Sequence, residues 1–341
     1  DFSSLAGGNY TGNMTSEQLI SNGPGEDQHF VTSPMNNSPM SELGDDVSAF
    51  GINGLYGTDG VAVTVDDCTA PSLVETSNYG NVFEYDESLV VGCELDGWVV
   101  RSAGTMQNGR GYSAYLSSGS TIDFTGTPVT GTVGSASLSN TTTGIGTGGW
   151  HLLGNPYPSP MNVDAVTSNA GLTSPQYFVN AGVYTGSYQP YAPSQTVAIG
   201  QGFVAQSNGS ASFNSSNTDR VASSNPVWYS VEDWFTSKLE IEVLANGFGD
   251  RTVLYYSEDN TAAFDVRGDC VKKMSNIGQP TIYTSLGNQE LSMNGKSLVQ
   301  IGESVPMGVK PGADGTFTLS FTGIETFEEM TTIYVEDKLL G

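Results

Sequence analysis

Histidine is nearly missing from this chain, which has two copies, His29 and His151. So few leave almost nothing from which to build a Ser-His-Asp or Cys-His catalytic arrangement. Cysteine is as scarce. Cys68, Cys93 and Cys270 match no zinc-ligand spacing and no redox pair, and three permit one disulfide at most. Cys68 and Cys93 flank the strand-like "NVFEYDE" (81–87) and would be bridged if their strands are neighbours; otherwise all three are separate small core residues. Basic residues number 11 against 36 acidic ones, a net charge of −25. A field of that sign repels nucleic-acid phosphates and anionic membranes, so neither is expected as a partner. It favours solubility and attracts divalent cations, although scattered acids also form an ordinary solvated surface.

No run approaches the roughly 20 apolar residues that span a bilayer as a helix. The start has no basic-then-apolar signal, so the opening at Asp1 is what a mature or trimmed product would show. Long helical windows are missing too; the best, "SEQLISN" at 16–22, would make about two turns. What fills the chain instead is glycine, 43 residues, with Ser, Thr and Asn between short apolar runs. Gly and Asn accept the positive φ of tight turns, so the mixture predicts an all-β protein of many short strands.

Two stretches share an order of parts. "QHFVTSPMNNSPM" (28–40) and "GGWHLLGNPYPSPMN" (148–162) each run from His through apolar residues to a proline turn. Proline stops a strand because it has no N–H for the ladder and restricts the residue before it. Both phrases therefore predict a rigid strand-to-loop corner, with Tyr157 packed back on the turn. Each is followed by Gly-x-Gly-aromatic ("GRGY" at 109–112, "GQGF" at 200–203), a strand, a Ser/Gly turn and a second strand carrying an inward Phe, Phe124 or Phe213. Neither Gly motif has the third glycine or the helix of a dinucleotide loop, so close backbone approach or a bulge is the better reading. The pattern predicts an internal repeat, with units at 28–135 and 149–222 packed sheet on sheet. The two histidines then share one structural slot rather than a catalytic role.

From about residue 226 the texture changes. "KLEIEVL" (238–244) puts Leu239, Ile241 and Val243 on one face, and "TFTLSF" (316–321) does the same with Phe317, Leu319 and Phe321. Further strands are expected at 251–257, 280–285, 297–302 and 332–338. The organisation is thus an extended N-terminal arm (1–27), a β-sandwich region of two related units (28–225) and a C-terminal β-sandwich (226–341), jelly-roll-like or immunoglobulin-like, incomplete at its last edge.

Paired carboxylates for glycoside hydrolysis have five candidates: Asp45/Asp46, Asp66/Asp67, Asp86/Glu87, Glu232/Asp233 and Glu328/Glu329. Spacing selects none of them. Asp66 and Asp67, at a strand end beside Cys68, are the candidate Ca²⁺ ligands, though without the alternation of an EF-hand loop. The tyrosines of "VYTGSYQPYAP" (183–193) either stack on sugars or pack across strands.

The phrases "HFVTSPMNNSP", "MQNGRGYSAYLSSGSTIDFTGTPVTG", "WHLLGNPYPSPMNVDA", "GQGFVAQSNGSASFN", "GFGDRTVLYYSEDNTAAFD" and "VPMGVKPGADGTFTLSFTGIETF", in this order, resemble the large cell-surface proteins that Bacteroidetes secrete through the type IX system. The resemblance runs from about 28 to 341 and implies an extracellular address, in company with gliding-motility adhesins and surface structural proteins. It supplies no catalytic residues. Such proteins would carry further strands and a sorting domain after "IYVEDKL". Together these readings lead to a non-enzymatic structural or adhesive protein, a subunit of a larger surface or filamentous assembly that associates with itself or with other surface proteins. It has no cofactor beyond optional Ca²⁺. A carbohydrate-binding module that holds polysaccharide is the alternative, and a glycoside hydrolase ranks third.

Overall fold

The computed structural model describes residues 12–20, 26–49, 52–63, 80–90, 94–117, 119, 121–135, 137–141, 148–222, 237–273, 278–299, 302–327 and 332–338. Among these the chain is nearly all β, with several sheets and one four-residue α-helix, Asp164–Thr167. The composition explains this. Short β-branched and aromatic runs are punctuated by glycines at positive φ, such as Gly109, Gly149 and Gly200.

Two four-stranded antiparallel sheets form the centre. The first places its strands in the order Glu26–Val31, Tyr112–Ser117, Val82–Tyr85, Trp98–Val100. The second reads Trp150–Gly154, Gly202–Ser207, Leu172–Phe178, Tyr188–Pro190. In chain order both are first, fourth, second, third. Their registers match as well: His29 lies opposite Ala114 and Val31 opposite Tyr112, while His151 lies opposite Ala205 and Leu153 opposite Phe203.

Each central sheet is largely buried on both faces, and its strands bury polar residues such as Ser113, Ser174 and Gln176 beside the apolar ones. Val31, Tyr112, Ala114, Ile122 and Phe124 form the core under the first sheet. Leu153, Phe203, Ala205, Ala211 and Phe213 form the core under the second. Between the sheets, Phe30, Tyr85, Trp150, Leu152, Phe178, Tyr188 and Val204 make a third cluster. There the Phe30 ring stacks on Phe178 at 5.1 Å between centroids.

The C-terminal region is a mixed seven-stranded sheet. Its main path runs Met307–Lys310, Thr281–Leu286, Gln289–Lys296, Phe248–Tyr256, Lys238–Ala245, Thr318–Thr322, and the short strand Cys270–Val271 also pairs with Gln289–Lys296. Phe248–Tyr256 and Gln289–Lys296 run parallel; the other pairs are antiparallel. Leu239, Ile241 and Val243 are buried with Leu254 and Ile282, as the alternation predicts. This sheet joins the centre through Val271 and Leu291, which enter the inter-sheet cluster, and through Gln176 Nε2 donating to Val271 O at 2.8 Å.

Three sequence expectations are corrected. Within 16–22, the described residues up to Leu19 belong to a strand, Met14–Leu19, which pairs in register with Thr121–Gly126. Its side chains alternate between half-buried and exposed, and that ladder outweighs the marginal stability of a two-turn helix. The strand expected at 297–302 lies earlier, at Gln289–Lys296, because Gly287 at φ +60° turns the chain into a tight hairpin after Leu286. Residues 332–338 form no strand: among the described residues none joins them in a ladder, and Tyr334 is 85% and Val335 58% exposed.

Candidate functional site

The two proline corners are built alike. Ser33 Oγ accepts from Met35 N at 3.2 Å, and Asn155 Oδ1 accepts from Tyr157 N at 3.0 Å. These are the local side-chain turns that Ser and Asn favour. Asn155 is fully buried, and its Nδ2 also donates to the carbonyls of Ser159, Val197 and Ala198. Tyr157 folds back into the core and donates its hydroxyl to Gly131 O at 2.9 Å.

Beyond the corners the sheets cross. Val31 bridges Gln201, and Leu153 bridges Arg110. Thr32 N donates to Gly200 O at 2.9 Å, and Gly154 N donates to Gly109 O at 3.0 Å. The Gly-x-Gly motifs sit at this crossing because a side chain would not fit. A Cβ on Gly111 would strike Leu153 O and the Leu152 side chain, and one on Gly202 would strike the Phe30 backbone. Both glycines therefore serve close backbone approach, as their context predicted.

His29 is capped from the chain of the second sheet, and His151 from the segment that links the two sheets. Asn180 Nδ2 reaches the His29 ring at 2.7 Å from Nδ1 and also donates to Gln28 O at 3.3 Å. Burial without a charged partner holds the His29 imidazole down at about 4, so it is neutral. His151 Nε2 lies 2.8 Å from Ser139 O, which fixes its proton on that nitrogen, and burial lowers its pKa as well. Beside it, Glu87 accepts from Thr141 N at 2.8 Å and Gly149 N at 3.2 Å. Burial alone would raise the Glu87 carboxyl, but hydrogen bonds from Ser139, Thr141 and Gly149 outweigh it and hold it below its usual value. Sequence reasoning missed Asn180 and Glu87 as partners of these rings, since nothing local links them.

A cavity of about 410 Å³ opens at the crossing on the His151 side. Its wall includes Asn36, Asn108, Arg110, Thr132, Ser135 and His151. Arg110 Nη1 lies 3.5 Å from Glu84 Oε2, so its charge is offset and the wall is polar rather than strongly cationic. Such a lining suits a neutral, hydroxyl-rich ligand. A second cleft, about 2480 Å³, lies along the C-terminal sheet. Leu239, Ile241, Leu254, Met307 and Phe321 form its apolar floor, while residues 332–338 run along its rim.

The other sequence candidates separate. Asp66, Asp67, Cys68, Cys93, Glu232, Asp233, Glu328 and Glu329 lie outside the described residues. Cys270 is a buried free thiol. Asp46 is pushed up to about 6 by burial, with Asp45, Asp123 and Glu42 adding repulsion. Among the described residues no group of three or more His, Cys, Asp or Glu is placed to hold a metal ion, and no helix is long and apolar enough to cross a membrane. Tyr188 and Tyr191 are buried, and Tyr184 donates its hydroxyl to Glu242 at 2.7 Å, so this stretch packs inward instead of presenting a sugar platform.

No curated protein and no solved structure matches this chain. One family does, over residues 167–341, a span that takes in three strands of the second central sheet and the whole C-terminal sheet. That match covers just over half of the sequence, and the chain belongs to this family, a domain of unknown function (DUF8693).

Proposed function

We propose that this is a non-enzymatic, extracellular structural or adhesive protein that assembles with further copies of itself or with other surface proteins. The observation that carries the reading is the set of exposed apolar side chains along the cleft of the C-terminal sheet. Above the buried floor of Leu239, Ile241 and Leu254, the walls of a long cleft hold Leu298, Val299, Tyr334 and Val335 out to solvent. Exposed apolar side chains gathered along one cleft mark interaction sites, and a strand-patterned segment at its rim is suited to strand addition. In this reading the C-terminal sheet is one layer of a sandwich whose other layer a neighbour supplies. The central region is two copies of one β unit, 28–135 and 149–222; the shared strand order, the matched registers of His29 and His151 and the reciprocal bridges at the crossing support the duplication. The extracellular address rests on the resemblance of the sequence to secreted surface proteins.

Sedimentation velocity across a concentration series, with electron microscopy of the same samples, tests the assembly. Expected are concentration-dependent oligomers or filaments that Tyr334→Lys combined with Val335→Asp disperses while the fold survives. A monomer at every concentration up to the solubility limit overturns it.

The polar cavity beside His151 favours a second reading, a carbohydrate-binding surface module. Retardation of the protein in gels containing neutral polysaccharide, relieved by Arg110→Ala, would support this reading over the first.

A further inference from the structure

Lys272 and Asp250 have side chains fully removed from solvent. Asp250 lies on the Phe248–Tyr256 strand, and Lys272 follows Cys270–Val271. Lys272 Nζ stands 2.7 Å from Asp250 Oδ1 and 2.7 Å from Oδ2, so the nitrogen is centred on the carboxyl group. The surroundings hold both groups in place. Ile282 N donates to Asp250 Oδ2 at 2.9 Å, Gln189 Nε2 approaches Oδ1 at 3.4 Å, and Lys272 Nζ donates to Arg251 O at 3.0 Å. Gln189 is itself fixed by Arg251 Nε donating to its Oε1 at 2.7 Å.

We propose that Lys272 Nζ and Asp250 Cγ condense into an intramolecular amide, a covalent cross-link inside the C-terminal sheet. The step balances without a co-reactant. The ammonium gives one proton to Asp250 Oδ1, and the freed lone pair attacks Cγ. The C–Oδ1 bond breaks, Oδ1 takes a second proton from the nitrogen, and it leaves as water. Ammonium plus carboxylate thus become a secondary amide plus water, with no net gain or loss of protons and no redox change. The Ile282 N–H faces Oδ2, where negative charge develops during attack, in the manner of an oxyanion donor. Held contact replaces a bimolecular encounter, the effect that gives intramolecular reactions their large effective concentrations. Burial raises the Asp250 carboxyl and lowers the Lys272 ammonium, each toward the neutral form that reacts. A dry site also disfavours the reverse hydrolysis, and a buried amide is less costly than two buried charges.

The test is mass spectrometry of the full wild-type chain, kept folded at neutral pH, then denatured and digested with trypsin. Expected is a branched peptide joining residues 239–251 to 268–273, one water lighter than the two parts together and uncut after Lys272. Asp250→Asn yields the same branched product with ammonia as the leaving group, and Asp250→Ala yields none. Recovery of two linear peptides from the wild type, with cleavage after Lys272, overturns the proposal. So does a water loss confined to one linear peptide, as an aspartyl succinimide would give. Because the wild-type digest decides, a variant that fails to fold leaves the test intact.

Discussion

The His29 and His151 sites occupy matched strands yet differ chemically. Tyr85 and Phe178 face the same inter-sheet cluster, and two residues beyond them stand Glu87 and Asn180, next to His151 and His29 respectively. One ring meets a neutral amide and is 1% exposed; the other sits near a carboxylate and on the wall of a cavity. The strand framework therefore fixes the slot, while the capping residue and the cover decide whether the slot is sealed. The two sheets thus carry one sealed histidine and one on the wall of a cavity.

The most disruptive way to probe this comparison is to empty the shared cluster. Phe30→Ala removes a ring stacked on Phe178 and is expected to cost about 4 kcal/mol, with Leu152→Ala nearer 3. Urea unfolding measures both, and a loss below about 1 kcal/mol for Phe30 would mean that the seam is not a packed core. Next comes pH. His29 is neutral when folded, with its pKa depressed to about 4, whereas in the unfolded chain it titrates near 6.5. The unfolded state thus binds more protons in acid, so stability falls as pH drops from about 6.5 to about 4, by about 3 kcal/mol in total. His151 contributes in the same direction and less. His29→Leu should flatten the fall in midpoint between pH 7 and 4 more than His151→Leu does; the reverse order would invert the comparison.

Smaller effects follow at the crossing and beyond it. Gly111→Ala and Gly202→Ala meet backbone that cannot retreat, for about 2 kcal/mol each. Gly119→Ala meets open space but has φ +82°, for about 1 kcal/mol of conformational strain. Equal losses at all three, read from thermal midpoints, would remove close approach as the reason for the two motifs. Least of all, Leu319→Lys on the exposed edge strand should change stability by under about 0.5 kcal/mol. Its expected effect is weaker self-association in sedimentation. A large drop in stability would place Leu319 in a core instead.

The legible parts of this fold were those written in local pattern. Leu239, Ile241 and Val243 alternate and are buried; Phe124 and Phe213 point inward; Gly111 and Gly202 mark close approach. What escaped depends on distant partners. Met14–Leu19 is a strand because Thr121–Gly126 is beside it, and residues 332–338 are not one because no described strand forms a ladder with them. The cap on His29 comes from a residue 151 positions away, which no window of sequence displays. Likewise the Lys272–Asp250 contact joins residues that carry ordinary surface chemistry until burial makes them exceptional.

The reciprocal crossing has a consequence for how the chain acquires its structure. Neither central sheet has its corner complete alone, since Thr32 needs Gly200 and Gly154 needs Gly109. A chain shorter than about the Gly202–Ser207 strand would leave Val31 without its bridge partner Gln201 and Phe30 without Val204 in its cluster. Closing so long a loop before any reward arrives makes folding slow and all-or-none across both sheets. A truncation after Asn140 should consequently remain unfolded rather than form half a protein, and amide exchange in the intact chain should show Val31 and Leu153 opening together in one cooperative unit.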